Sequence, residues 1–584
     1  MYNDHLTWQK RRITMISVLF NWLYIFIVTF LIGLGFFKLL SVFLKRQLSF
    51  SFFSLILCGV AVTTVYTQLL SLFCKIGALA NLLLILLCIA AFIAYPRSFY
   101  LQYLKKLKNT FFCWNGLLYI GLILFIAFCT SRGTIHTDTS LYHAQAVRWY
   151  EEYGVVKGLG NLQWHFAYNS SYFAFAALFS LKFLCGQSLH CTTGFIAIVL
   201  ILRSVYRLRG FFTRTRHMAD MCCIGILFYA LVNLTGCISP ASDYATMYMA
   251  LYLIARWCET IEHDPGNIDA FALLSVFSVY VMTLKLSTGL LVLLVIFPLV
   301  CLIRSRRTKD IFIYLALGLL TAAPFLIRNV IISGWLLYPF AAIDLFQFDW
   351  KMPVRYVNID SSTIKVWARC LYDPSLIDMP FYKWLPIWWE AQERYSQMLI
   401  LTNVLAFVLD SALLLHKIAA KAKLCRNTIL INLCTFICIA AWLLLAPFIR
   451  YGLAFLIAAP MISVGMWLET WQKEYGSASF YKLFSGCVIF AMFFVLSPYW
   501  EHYFVDDIVF IKQNLTQPYY ICQKNYDTSP MEEYDMNGIT IYCPKEGQIT
   551  GYDYFPASSY NYMIHTTELR GNSLKDGFLS LERE

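Results

Sequence analysis

What most constrains this chain is the number and length of its apolar runs. Stretches of sixteen or more residues with few charges recur along most of its 584 residues. Hydrophobic residues make up 59% of the chain and charged residues 14%, which leaves too little polar surface to cover a water-soluble fold of this size. Each such run is long enough to cross the hydrocarbon layer as a helix. They lie near 13–42, 49–73, 77–95, 111–129, 190–205, 219–236, 242–257, 268–284, 287–303, 311–327, 397–416, 428–446, 451–470 and 480–497. The expectation is an all-α polytopic membrane protein with about 14 transmembrane helices (13±2). The first run is too long for a cleavable leader and lacks a clear small-residue cleavage site.

Charge orders these runs in the bilayer. Basic loops at 97–108, 203–216, 304–309 and 417–426 fall on one side if the apolar stretch 171–184 lies along the interface instead of crossing. The same choice puts 130–189, 328–396 and the tail from 498 onward on the other face. Six segments follow: membrane helices over 1–129, an outer loop with juxtamembrane helices over 130–189, helices over 190–327, a second outer loop over 328–396, helices over 397–497, and an outer tail over 498–584. The three basic residues Lys10, Arg11 and Arg12 fall on the outer side if the first three runs all cross, so either one of those runs does not cross or the rule is locally broken.

The tail carries 13 acidic and 6 basic residues, a net of −7, so the rest of the chain holds +19 of an overall +12. That positive charge sits in short loops between spans, where it reports topology, and no nucleic-acid-binding module accompanies it. Alternation over 538–543, followed by the turn signal Lys545-Glu546-Gly547, predicts some β structure in the tail. Most of the 19 cysteines lie within apolar runs, where they act as small hydrophobes. Cys522 and Cys543 are the two in the tail, either a disulfide or two free thiols.

Polar and titratable groups concentrate between the fourth and fifth runs: His136, Asp138, Tyr142, His143, Gln145, Arg148 and Trp149. Such groups are costly beside lipid, so a dense cluster there marks a candidate site. A helix starting at Asp138 or Thr139 and ending before Gly154 places Asp138, Tyr142, Gln145 and Trp149 on one face. Asp138 can act as a base toward a hydroxyl, or bind a divalent cation with His136 or His143. It can equally serve as a helix cap, with the aromatics anchoring in headgroups. His165 and Asn169, which follow the glycine-rich turn at 158–161, are candidate hydrogen-bonding partners for a sugar. Arg328 and Asn329 open the second outer loop, and Lys285 and Arg450 stand at other outer junctions. A guanidinium or ammonium there can hold a phosphate or simply reach the headgroups. Asp243, just before a span, reads as a cap or a second acid.

An acidic residue on a juxtamembrane helix of the first large outer loop, with Arg328-Asn329, Ser333-Gly334 and Tyr338-Pro339 after a mid-chain span, resembles the GT-C superfamily of integral-membrane glycosyltransferases. The stretches 138–145, 154–161 and 169–173, with Ala446-Pro447, Arg450-Tyr451 and 551–556, resemble an uncharacterised family of bacterial polytopic membrane proteins over most of the chain. The GT-C resemblance implies sugar transfer from a polyprenyl-phosphate carrier to a glycan, lipid or protein acceptor on the outer face of the bacterial cytoplasmic membrane. Asp138 would be the base, Arg328 the leading phosphate ligand, and Lys285 and Arg450 its seconds. The acidic loop comes after about four spans, later than is usual in that superfamily, and holds a single Asp. A polysaccharide polymerase or ligase, a lipid-linked glycan flippase and a non-catalytic assembly protein are the rival readings.

Overall fold

The computed structural model describes residues 15–582 apart from 113, 133–134, 187, 422–424 and, within 476–527, all but 486, 508–509, 511 and 526. The chain is predominantly helical, with two small β-hairpins near its C-terminus. Among the described residues, eight helices are long and apolar enough to cross a membrane: Ile16–Leu44, Phe52–Ser71, Asn115–Arg132, Leu286–Arg304, Thr308–Ser333, Arg394–Ala419, Arg426–Leu445 and Ile449–Trp471.

Thirteen of the 14 expected spans are therefore helical, but five fall short of that standard, and the 480–497 span lies outside the described residues apart from 486. Length is the reason for four. Ala78–Ile93, Thr192–Leu208, Met218–Val232 and Ile268–Leu284 have 15 to 17 residues, or about 23–26 Å against a hydrocarbon layer of about 30 Å. Ser242–His263 is long enough but too polar. Its residues Tyr248, Met249, Trp257 and Cys258 are enclosed by protein. Thr192–Leu208, Met218–Val232 and Ser242–His263 are buried along most of their length, whereas Ala78–Ile93 is mostly exposed.

Ala78–Ile93 turns through 100° into Arg97–Phe111. That second helix has no buried residue and carries Arg97, Lys105, Lys106 and Lys108, so the first basic loop is an amphipathic helix. The 171–184 stretch differs from expectation. Residues Ser171–Leu178 form an eight-residue helix buried along its whole length. At about 12 Å it cannot cross, but it lies within the protein, because no polar face is present to meet headgroups.

Two ends of the molecule are distinguished by their ion pairs. At one, Arg46 meets Asp269 at 2.5 Å and Asp310 at 3.0 Å, Arg307 pairs with the same two acids, and Arg207 reaches Asp220, Glu259 and Glu262. The basic loops 203–216 and 304–309 belong here. Ser242–His263 and Ile268–Leu284 run from this end to the other, so Asp243 and Lys285 mark the far side.

At that far side the early loop, the second loop and the tail pack into one unit. In the tail, strands β1 (Met531–Met536) and β2 (Ile539–Pro544) pair antiparallel around Asn537 and Gly538, both at positive φ. This is the two-residue turn that Asn-Gly favours, so Gly538 belongs to the turn and not to the expected strand. Strands β3 (Thr567–Leu569) and β4 (Phe578–Ser580) form the second hairpin. Gln145 donates to the Gly551 and Tyr554 carbonyls at 3.1 and 2.6 Å, and Arg148 to those of Tyr552 and Asp553 at 2.6 and 2.7 Å. Gly158 at φ +62 lets β4 approach so closely that a Cβ there would lie 2.1 Å from the Phe578 carbonyl oxygen. Asn161 donates to the Trp350 carbonyl, Arg570 pairs with Asp349, and Tyr168 donates to Asp360, which closes the second loop over the first. Cys543 is buried as a free thiol, and Cys522 lies outside the described residues.

Candidate functional site

Four chain segments bring charge to one point at this far end. Asp138 precedes a single π-helical turn, Thr139–His143, that leads into the helix Ala144–Glu152. Asp243 lies in the first turn of Ser242–His263. Lys285 is the extended residue between Ile268–Leu284 and a 3₁₀ segment, Leu286–Val295, that folds back beside it. Arg450 opens Ile449–Tyr475, just after Pro447.

Their side chains interlock. Arg450 meets the Asp138 carboxylate at 3.1 Å and that of Asp243 at 3.5 Å. Lys285 pairs with the other oxygen of Asp243, and its ammonium lies 3.5 Å from the centre of the Tyr451 ring. Arg450 Nη1 also donates to His136 Nε2 at 3.1 Å. Neither Asp138 nor Asp243 caps a helix, since no such hydrogen bond forms; the charge pairs take both. Asp138 is 25% exposed and Arg450 38%, whereas Asp243 is 10% exposed. The more accessible pair is therefore Asp138–Arg450, and Asp243 sits behind it as the carboxylate shared by both cations.

Burial pushes the Asp138 carboxyl upward, but Arg450, with His136 and His143, outweighs it and holds the group below the usual carboxylate range. Asp138 is thus ionised at neutral pH and is a weak base while Arg450 holds it. Burial lowers His136, and lowers His143 to about 3. His143 instead bonds the Thr139 hydroxyl at 3.1 Å.

Aromatic rings lead away from the cluster. Tyr142 stacks on His165 at 5.0 Å, His165 on Tyr560 at 5.6 Å, and Tyr560 packs on Trp164 at 4.7 Å. Beyond them Asp360 accepts from the Tyr168 and Tyr338 hydroxyls, each at 2.7 Å. Burial raises its carboxyl to about 6 even against those two bonds.

The expected pairing of Asp138 with Arg328 is not what the chain builds. Arg328 is 2% exposed. It lies 3.7 Å over the Tyr150 ring and donates to Ser71 Oγ at 3.0 Å and the Gly154 carbonyl at 2.8 Å. Its two Nη atoms join the Phe52–Ser71 helix and the end of the early helix to its own helix, while its buried Nε has no hydrogen-bond partner among the described residues. Asn329 and Asn169 bond one another at 2.7 Å and serve the backbone at Leu336 and Phe325. Gln145 holds the tail. Arg450 and His136 do meet Asp138, Lys285 reaches the cluster through Asp243, and Tyr142 and His143 lie alongside. Asp243 is the member whose part the sequence understated, and Asp360 and Asp410 were missed. Asp410 shows in sequence as an acid inside an apolar run; Asp360 carries no such signal. Among the described residues, no group of three His, Cys, Asp or Glu side chains is placed to hold a metal ion.

The fold and this site define a helical protein with several helices long and apolar enough to cross a membrane and a neutral, paired charge cluster at their ends. The chain belongs to the DUF8201 family, described as a domain of unknown function, whose signature matches residues 15–457. That span includes Asp138, Asp243, Lys285 and Arg450. No curated protein matches the chain, and no solved structure does.

Proposed function

We propose that this protein is a membrane glycosyltransferase of the GT-C type, moving a sugar from a polyprenyl-phosphate carrier to an envelope acceptor. The observation that carries this reading is the Asp138–Arg450–Asp243–Lys285 cluster at the ends of membrane helices, where the headgroup of such a carrier lies. In this reading the carrier phosphate takes Arg450 and Lys285 as its ligands. Drawing Arg450 toward phosphate relieves Asp138 of its cation and raises its basicity. The acceptor hydroxyl attacks the anomeric carbon, Asp138 takes the hydroxyl proton, and the bond from that carbon to the phosphate oxygen breaks. The leaving phosphate gains one negative charge, which the two cations stabilise. The rings of Tyr142, His165, Tyr560 and Trp164 supply faces on which a sugar can stack.

The test is transfer of radiolabelled sugar from a short-chain prenyl-phosphate donor by the purified protein in lipid nanodiscs, with mass analysis of the product. Transfer lost in both Asp138→Asn and Arg450→Gln supports the reading; normal glycan output from either variant in cells overturns it. A lipid-linked glycan flippase is favoured by one observation: Asp410, within the Arg394–Ala419 span, is buried and held by Ser463 and Asn432 at 2.6 and 2.7 Å. An unpaired acid inside a span is the kind of group a transport path uses. Movement of an unmodified glycolipid across the nanodisc, with no new glycosidic bond, would select that alternative.

A further inference from the structure

The cluster contains a conflict at His136. Its Nε2 lies 3.1 Å from Arg450 Nη1, and its Nδ1 lies 3.1 Å from the backbone nitrogen of Asp138. A guanidinium and an amide N–H only donate, while a neutral imidazole carries one N–H and one lone pair. The ring can accept from one of these neighbours and must turn its own proton toward the other. The Asp138 carboxylate stands 3.9 Å from Nδ1, near but beyond hydrogen-bond reach.

The charges around it leave no surplus. Arg450 and Lys285 balance Asp138 and Asp243, so an arriving phosphate finds two cations and two carboxylates already competing for them. Resting on the reading that Arg450 and Lys285 hold a carrier phosphate, we infer that the site takes up its phosphodiester together with one proton, and that His136 receives it. Once Arg450 turns to the phosphate, Nε2 loses the donor that blocked it and is protonated from solvent. Both ring nitrogens are then donors: Nε2–H points toward the phosphate, and Nδ1–H turns from the Asp138 amide to the Asp138 carboxylate, which closes in from 3.9 Å. Two cations, two carboxylates, one imidazolium and one phosphodiester anion sum to zero. The same proton lies beside the phosphate when the second negative charge develops on it.

The groups that face His136 leave it this role. Asp138, Asp243, Arg450 and Lys285 act on it through their charges. Tyr244 meets its ring edge-on at 5.7 Å, and its backbone N–H is taken by Ser239 Oγ. His143, stacked at 6.3 Å, is fully enclosed and bonded to Thr139, which keeps it neutral.

The test is calorimetric titration of the full-length protein in detergent with a farnesyl glycosyl phosphodiester, near neutral pH, in several buffers of different protonation enthalpy. A phosphodiester carries one fixed negative charge across this range, so protons counted belong to the protein. The expected result is uptake approaching one proton per bound ligand, and affinity that falls about tenfold per pH unit between the free-state and the higher bound-state pKa of the ring. His136→Gln, with His136→Asn as a second form and thermal melting as the folding check, abolishes the uptake and flattens the pH profile. Binding to the wild type without proton uptake overturns the inference and leaves the phosphate site standing. Uptake that persists in both variants also overturns it and moves the proton to Asp138. Failure of the wild type to bind the phosphodiester at all overturns the phosphate reading and this inference with it.

Discussion

Replacing Asp138 with Asn separates its role as a competitor for Arg450 from its role as a base. The carboxylate holds Arg450 at 3.1 Å. Two unit charges about 4 Å apart interact by about 4 kcal/mol at an effective dielectric of 20. Arg450 is 38% exposed, so water screens the pair and about 1–2 kcal/mol is the fitting range. Asn has nearly the same shape but no charge, so that competition disappears when a phosphate arrives. Asp138→Asn should therefore bind a prenyl phosphodiester about 5- to 30-fold more tightly than the wild type, while losing most transfer. Calorimetry with the farnesyl phosphodiester supplies the first quantity and product formation in nanodiscs the second. Weaker binding in the variant would refute the reasoning, because it would mean that Asp138 contacts the ligand favourably.

Arg450→Gln and Lys285→Gln should each weaken phosphodiester binding by at least about tenfold, since each removes one of two cations from a balanced set; the same calorimetry checks this. Arg328→Lys should leave that affinity unchanged and lower the melting temperature by several degrees, because Lys cannot reproduce two fixed hydrogen bonds and a flat contact with Tyr150; fluorescence-detected thermal melting separates the two outcomes. Gly158→Ala should free the tail to proteolysis, since it places a Cβ against the Phe578 carbonyl at φ +62 at a cost of about 1–2 kcal/mol from the backbone alone; an unchanged cleavage rate would count against the docked tail. Acid should loosen the outer unit between about pH 6.5 and 4. His143 and His165 are lowered to about 3 and about 4 by burial. Their stabilisation is complete above the unfolded value of 6.5 and is lost as pH falls, by at most about 1.4 kcal/mol per pH unit each. Asp360, raised to about 6, runs the opposite way and is lost as pH rises, so it offsets one histidine; hydrogen exchange of the 139–168 segment against pH reads the balance.

The helices were legible because they depend on local quantities. Apolar runs must be helical in lipid, since every backbone group has to be satisfied within the segment. The structure gathers the early loop, the second loop and the tail into one unit, at the end away from the basic loops 203–216 and 304–309. Whether a run is long enough to cross was less legible. Ile268–Leu284 and Leu286–Arg304 are adjacent in sequence and similar in composition, yet only the second meets the length and hydropathy of a span.

Which charges meet was not legible at all. Arg328 and Arg450 both stand near one end of an apolar run and look equivalent in sequence. One is enclosed by Tyr150, Ser71 and Gly154, and the other faces Asp138 and Asp243. Asp243 resembled a helix cap because its position within a helix is local, whereas its partners Lys285 and Arg450 are 42 and more than 200 residues away. By itself the sequence determined a helical chain with several helices long and apolar enough to cross a membrane, because hydrophobicity acts on each segment separately. The tertiary structure alone decided that Asp138 joins Arg450 and not Arg328, because an ion pair depends on how helix ends converge.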